Sequence, residues 1–265
     1  MRILKILLVV VTGLVGLGCQ EVGARRDIQE GNKHYYAARY EQAIKAYEEA
    51  VAAQPDLAVG WFNLGVSYLA NFAPGLKTPE NEKNAQGAII AFQKYIRLVP
   101  TDEQAQDFLL DTFVNSGHYE GAVDFFLKRL EKNPNDTEAV AQLADLNKQW
   151  GKFDESIKWH KKRAEMVGTT DLKADSWYSI GVLDWRRLNG HPEVTGTERL
   201  RIADEGIGWL QKADEARKAH SPTLSYLNLL YRERALSHDA SYVRVVDTAS
   251  AQVYYKLATE VAKKQ

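Results

Sequence analysis

The sequence is poor in the residues that mark a disulfide framework or a nucleic-acid surface. Its single cysteine, Cys19, excludes a disulfide within the chain, so the fold must depend on apolar packing. Apolar residues are plentiful at 45% of the chain. The formal net charge is only −1, which provides no general attraction for a polyanion. We therefore expect no nucleic-acid partner.

Motifs for catalysis and for metal or cofactor binding are also missing. The six histidines form neither an HExxH motif nor a pair four residues apart, and they have no cysteine partners for zinc. The sequence contains no glycine-rich phosphate loop and no G-x-S-x-G turn. We expect no metal site, no cofactor and no catalytic residue, and hence a protein that is not an enzyme.

One long apolar run stands near the start of the chain. Arg2 and Lys5 precede the segment Ile6–Gly18, whose 13 residues are too few to cross a bilayer but suit the central region of a signal peptide. The run ends at Cys19. This placement resembles the signal of a bacterial lipoprotein, in which the cysteine is acylated and becomes the new amino terminus. The alternative is an ordinary secretory signal with an incidental cysteine.

The resemblance implies a signal peptide over residues 1–18, lipidation at Cys19 and a short tether over residues 19–26. Gly16 stands where such signals usually have leucine, and Leu17 lies one place nearer the cysteine. Gln20 follows the cysteine where aspartate would favour retention in the inner membrane. By this resemblance the protein is attached to a membrane by its acyl chains and faces the periplasm, with the outer membrane favoured over the inner.

The rest of the chain repeats itself at a fixed spacing of 34 residues. Three sets of equivalent positions show the period: Phe92, Phe126 and His160; Ala88, Ala122 and Ser156; Gly117 and Gly151. A period of this length is typical of stacked helix pairs, because one pair cannot bury its apolar face alone. The pattern predicts a fold with an extended surface for binding.

The repeat can be identified from its residues. Trp61, Leu64, Gly65 and Tyr68 reproduce a W-x2-L-G-x2-Y pattern, and Ala88, Phe92 and Pro100 complete it. The pattern resembles the tetratricopeptide repeat. The resemblance implies an all-α, right-handed superhelical solenoid of about six helix pairs over residues 24–263. Insertions break the period near residues 71–84 and 189–198, where the loops are either tolerated surface segments or a partner-specific edge.

In tetratricopeptide-repeat proteins the first helix of each pair lines a concave groove, which is the expected binding site here. The candidate binding residues on these helices are Asn32, Tyr35, Phe62, Asn63, Asp107, Asp111, Asp145, Tyr178 and Trp185. They make the groove aromatic at its two ends and acidic in its middle. Such a groove suits an extended or helical peptide that carries Lys or Arg. Alternatively, the aromatic residues only pack between repeats and the acids only keep the surface soluble.

One known specificity of the family is not expected. Its chaperone-cofactor members hold a terminal carboxylate with two asparagines and three basic residues. Asn32 and Asn63 match the asparagines, but Ile28, Gln104 and Phe108 occupy the basic positions. Without those cations the groove should not favour an acidic tail.

These observations predict a membrane-anchored, non-catalytic adaptor that holds a protein or peptide partner in the bacterial envelope. The alternative is an accessory subunit that binds cell-wall glycan or polysaccharide through the same aromatic residues. Salt discriminates between the two, because binding through acidic residues weakens as ionic strength rises, whereas stacking on a neutral sugar does not.

Overall fold

The computed structural model describes residues 21–264, and every regular element in that range is an α-helix. In chain order the helices are α1 (21–36), α2 (Tyr40–Ala53), α3 (Ala58–Asn71), α4 (Pro79–Leu98), α5 (Glu103–Ser116), α6 (Tyr119–Lys132), α7 (Thr137–Gln149), α8 (Phe153–Met166), α9 (Thr170–Gly190), α10 (Gly196–Ala216), α11 (Ser221–Ser237) and α12 (Ser241–Ala262). Helices α3 and α4, α7 and α8, α9 and α10, and α11 and α12 pack against each other as the 34-residue period predicts, and the all-α fold is confirmed. The predicted signal peptide and Cys19 lie outside the described residues.

The helices group into two compact units. Of the described residues, 21–118, with α1 to α5, form unit 1, and 119–264, with α6 to α12, form unit 2. None of the helices described in either unit is both long enough and apolar enough to cross a membrane.

Recurrent polar residues and glycines set the ends of the helices. Asp102 and Asp136 each precede a first helix, and their carboxylates accept hydrogen bonds from backbone N–H groups three residues later, at 3.1 and 2.9 Å. Gly117 and Gly151 follow the carboxyl ends of the same two helices, α5 and α7. Their φ angles are positive, at 80° and 77°, and such angles favour glycine. The recurrence of glycine at these positions therefore has a backbone cause.

Small residues let the two helices of a pair approach closely in unit 1. A Cβ atom at Gly31 of α1 would lie 2.5 Å from Cε1 of Tyr47, and one at Gly87 of α4 would lie 2.6 Å from Cζ of Tyr68. The two tyrosine rings therefore occupy the space that glycine leaves, and they are almost fully buried. This contact holds α1 against α2 and α3 against α4.

The loops at the predicted insertions are short. Helices α3 and α4 are joined by residues 72–78, and the buried Asn81 fixes this loop through bonds to the backbone carbonyls of Ala73 and Leu76, both at 2.8 Å. Helices α9 and α10 are joined by residues 191–195 and have 21 residues each, against 14 in α5 and α6. The extra residues of the fifth pair therefore lengthen its helices.

A cluster of buried apolar residues joins the last four helices of unit 2. Its buried apolar members are Leu188, Ile202, Ala203, Ile207, Leu210, Leu227, Leu230, Tyr231 and Ala251. A buried ion pair supports the same region, because the Arg234 guanidinium on α11 donates to both carboxylate oxygens of Asp247 on α12, at 3.0 and 2.6 Å. These contacts hold the last four helices together, including α9, on which the predicted site residues Tyr178 and Trp185 lie.

Candidate functional site

The first helices of unit 1 carry six of the predicted binding residues. We call the surface that these residues form the unit 1 face: Asn32, Tyr35, Phe62, Asn63, Asp107 and Asp111, on α1, α3 and α5. All six are exposed or half-buried, so each is open to a ligand.

Two asparagines of the unit 1 face contact each other across adjacent repeats. Asn63 Nδ2 donates to Asn32 Oδ1 at 3.0 Å, and the Tyr47 hydroxyl donates to the same oxygen at 2.6 Å. Burial raises the pKa of Tyr47 to about 12, which keeps its hydroxyl protonated and able to donate. Asn32 Nδ2 and Asn63 Oδ1 have no hydrogen-bond partner among the described residues, so the N–H groups of Asn32 and the carbonyl oxygen of Asn63 remain for a peptide backbone.

Aromatic rings surround Phe62, which precedes Asn63 in the sequence. The ring of Phe62 is 5.1 Å from the ring of Tyr95 and 6.2 Å from the rings of both Phe92 and Phe108, measured between centroids. Phe108 therefore joins α5 to α3 at a position where family members that clamp a carboxylate have a base. Tyr35 packs near the end of α1, with its ring centroid 5.5 Å from that of Tyr40.

The acids of the unit 1 face are not neutralised. Asp107 and Asp111 are exposed, lie one turn apart on α5 and form no ion pair within 4.0 Å among the described residues. Phe108 lies between them in sequence. The face therefore combines an amide pair, an aromatic surface and two negative charges that are free to attract a cation.

The remaining predicted residues lie in unit 2, where the acid is paired. Asp145 on α7 is half-buried and bonded to Lys148 one turn later. Tyr178 and Trp185 on α9 both contact Tyr226 on α11 edge to face, with centroids 5.8 and 5.3 Å apart. Burial also raises the pKa of Tyr178. These three aromatic residues form a half-buried cluster, and the role of Asp145, Tyr178 and Trp185 in binding stays a prediction.

Tyr95 and Tyr226 also contact candidate residues, although the sequence pattern alone does not predict it. These contacts depend on how neighbouring helices pack. Within residues 21–264 no group of three or more histidine, cysteine, aspartate or glutamate residues is placed to hold a metal ion.

Comparisons with known proteins agree with this fold. The family described as "Tetratricopeptide repeat" matches residues 28–103, which lie in unit 1. No curated protein matches the chain. Among solved structures, the Naa15/Naa10 complex bound to HypK-THB is 18% identical with a TM-score of 0.55, and the match covers 93% of this chain and 36% of that one. This chain thus spans about a third of that protein's length.

Two smaller proteins are similar over most of their own length. A TPR repeats protein from Bacteroides fragilis is 17% identical, with coverage of 91% of this chain and 99% of that chain and a TM-score of 0.42. YrrB, whose structure is described as a TPR protein with an unusual peptide-binding site, is 20% identical, with coverage of 75% and 88% and a TM-score of 0.40. At these identities the likeness concerns the fold alone.

Proposed function

We propose that the chain is a non-catalytic adaptor that binds an extended peptide of a protein partner on the unit 1 face. The support is the match of residues 28–103 to the tetratricopeptide repeat, together with the repeated helix pairs of the described residues. Proteins of this fold generally act as scaffolds for protein or peptide partners. The proposal assigns binding to Asn32, Phe62, Asn63, Asp107 and Asp111.

The observation that carries the proposal is the pairing of Asn32 with Asn63. Their bond leaves Asn32 Nδ2 as a donor and Asn63 Oδ1 as an acceptor, which is the complement of a peptide group. Backbone recognition of this kind suits an extended segment, since such a segment exposes unpaired N–H and C=O groups. It gives affinity with little demand on the peptide's sequence.

The neighbouring groups would supply the specificity. An apolar or aromatic side chain of the peptide would lie on Phe62, whose ring is already held by Tyr95 and Phe108. A Lys or Arg side chain would pair with Asp107 or Asp111, and a charge-assisted bond of this kind is stronger than a neutral one. We therefore expect a basic peptide that also carries an apolar anchor.

We also propose that the adaptor is attached to the bacterial envelope through acylated Cys19 and faces the periplasm. The support is the short apolar run before the only cysteine. Replacing Cys19 by alanine should release a folded protein from the membrane fraction. If the variant remains in that fraction after a carbonate wash, the anchor lies elsewhere.

The partner can be sought with the acylated protein as bait in detergent-solubilised envelope. The test variant is Asp107→Asn with Asp111→Asn, and the matched control is Glu49→Gln with Glu80→Gln, which removes two exposed acids from second helices. A protein that is captured by the native bait and the control, but not by the test variant, supports the proposal. Retention of cell-wall glycan alone would favour the glycan-binding alternative, and equal capture by all three baits would exclude the unit 1 face.

A further inference from the structure

Asp184 occupies a repeat position where the second repeat has Tyr68. The W-x2-L-G-x2-Y pattern that ends at Tyr68 corresponds to W-x2-I-G-x2-D, which runs from Trp177 to Asp184. In the second repeat the tyrosine ring packs over Gly87, and its hydroxyl donates to Glu48 at 2.5 Å. An aspartate is shorter by a whole ring, and Glu205 stands in the fifth repeat where the second repeat has Gly87.

The space beside Asp184 is an open cavity of about 620 Å³ among α8, α9 and α10. Asp184 lines it, although only 2% of the residue's surface is exposed. Its Oδ2 atom has no hydrogen-bond partner among the described residues. An unpaired buried carboxylate oxygen is costly, and a ligand that donates to it would remove that cost.

The charges around Asp184 come from all three helices. Burial is the main cause that raises the pKa of Asp184 to about 7; Glu205 on α10 adds to the effect, whereas Arg187 on α9, Lys161 on α8 and Arg201 on α10 oppose it. At neutral pH the carboxyl group is therefore divided between its protonated and ionised forms.

Most of these neighbours are already paired. Arg187 donates to Asp154 at 2.7 Å, and Arg201 donates to Glu205 at 2.6 Å. Lys161 is the exception, because it has no carboxylate within 4.0 Å among the described residues and its nearest aromatic partner is the ring of Trp209, 5.2 Å away.

Lys161 follows His160 as Glu48 follows Tyr47, so the two side chains hold equivalent repeat positions. The second repeat closes its space with a tyrosine hydroxyl that donates to Glu48. The fifth repeat instead has an acceptor on α9 and a cation on α8, and both line the cavity.

We propose that this cavity, the Asp184 pocket, binds a small zwitterion with the chemistry of a free α-amino acid. The ligand's ammonium group donates to Asp184 Oδ2, and its carboxylate accepts from Lys161. A simple amine would leave Lys161 without a partner, and a simple anion would place an acceptor against the Asp184 carboxylate. The cavity volume lies within the range of about 300–1,000 Å³ that is usual for small-molecule sites.

The direct test is isothermal titration of the full-length protein in detergent with each of the twenty standard L-amino acids. At least one should bind with a Kd below about 10 mM, the range of weak small-ligand binding. Its analogues without the ammonium or without the carboxylate group should bind at least about tenfold more weakly, since each loses one charge-assisted bond. Because an ammonium ligand favours ionised Asp184, affinity should rise about tenfold from pH 6 to pH 8.

Variants separate this site from the unit 1 face and from general misfolding. Asp184→Asn and Lys161→Met should each weaken binding about tenfold or more, whereas Asp171→Asn, an exposed acid on the first turn of α9, should not change it. Asp184→Tyr with Glu205→Gly restores both repeat residues and should abolish binding while the protein stays folded by circular dichroism. The proposal is overturned if no amino acid binds the native protein, or if Asp184→Asn binds as well as native.

Discussion

Gly65 of α3 faces the ring of Phe92 on α4 so closely that a Cβ atom at position 65 would lie 2.8 Å from Phe92 Cε1. Phe92 is fully buried, and its ring also lies 5.6 Å from that of Phe108, between centroids. The ring therefore has little room to move away. The contact links the repeat core to the unit 1 face, because Phe62 packs on the same ring.

Replacing Gly65 by alanine should destabilise the protein by about 1–3 kcal/mol through overpacking. Urea unfolding measures the change. Gly208→Ala on α10 is the control, since a Cβ there meets nothing within 4 Å and alanine should stabilise the helix by about 0.5–1 kcal/mol. Equal effects at both positions would show that Gly65 matters for its helix propensity alone.

His160 stands in the aromatic position of its repeat, with both ring nitrogens buried and without a hydrogen-bond partner among the described residues. Burial lowers its pKa to about 4, from an ordinary value of 6.5. The unfolded chain therefore binds more protons between pH 6.5 and pH 4, so the contribution of neutral His160 is present above pH 6.5 and is lost as the pH falls towards 4.

His160→Phe restores the aromatic residue of the repeat and should remove this loss. The variant should gain stability relative to native as the pH falls from 7 to 4, by about 3 kcal/mol in total. The measurement is the difference between the unfolding free energies of the variant and the native protein, taken from urea unfolding at each pH. Asp184, whose pKa is raised, contributes with the opposite sign, but it contributes equally to both proteins and cancels in the difference. A difference that is constant with pH would contradict the assignment.

The ion pair between Arg234 and Asp247 should be costly to break from one side. Asp247 is 1% exposed, and Asp247→Ala would leave the Arg234 guanidinium with only the exposed Asp204, 2.6 Å away. We expect a loss of about 3–5 kcal/mol in the free energy of unfolding. The double variant Asp247→Leu with Arg234→Met should recover most of it, and a single variant that costs under about 1 kcal/mol would show that the pair is solvated.

The period of the sequence was enough to predict the helices. It locates the small and aromatic residues that meet inside each pair, and it marks Gly117 and Gly151, which both end a helix with positive φ. Boundaries near the insertions were harder to predict, because the extra residues near position 190 extend α9 and α10 instead of forming a long loop.

Only part of the candidate site could be predicted in this way. The period assigns Asn32 and Asn63 to first helices, but it does not reveal that one side chain donates to the other. It also does not reveal that Phe108 lies against Phe62, since such contacts depend on packing between neighbouring repeats. The departure from the pattern at Asp184 is visible in the sequence, whereas its burial depends on side chains from three helices.

Asp145 should contribute less to peptide binding than the acids of unit 1. Its carboxylate is already bonded to Lys148, so removing the charge frees a cation as well as losing an anion. We expect Asp145→Asn to change the affinity for a basic peptide by less than about twofold, in line with a partly screened surface pair. A loss as large as that of the unit 1 variant would place the peptide on unit 2.

The central claim is that Asp107 and Asp111 of the unit 1 face bind a basic, extended peptide. The most direct measurement is the affinity of decapeptides that carry Lys or Arg beside an aromatic residue, titrated by fluorescence anisotropy at 50 and 300 mM salt. We expect the native protein to bind more weakly at 300 mM salt than at 50 mM. The double variant Asp107→Asn with Asp111→Asn should bind about tenfold more weakly than native, and the double variant Glu49→Gln with Glu80→Gln should bind as well as native. Equal affinity of the three proteins at both salt concentrations would contradict the central claim.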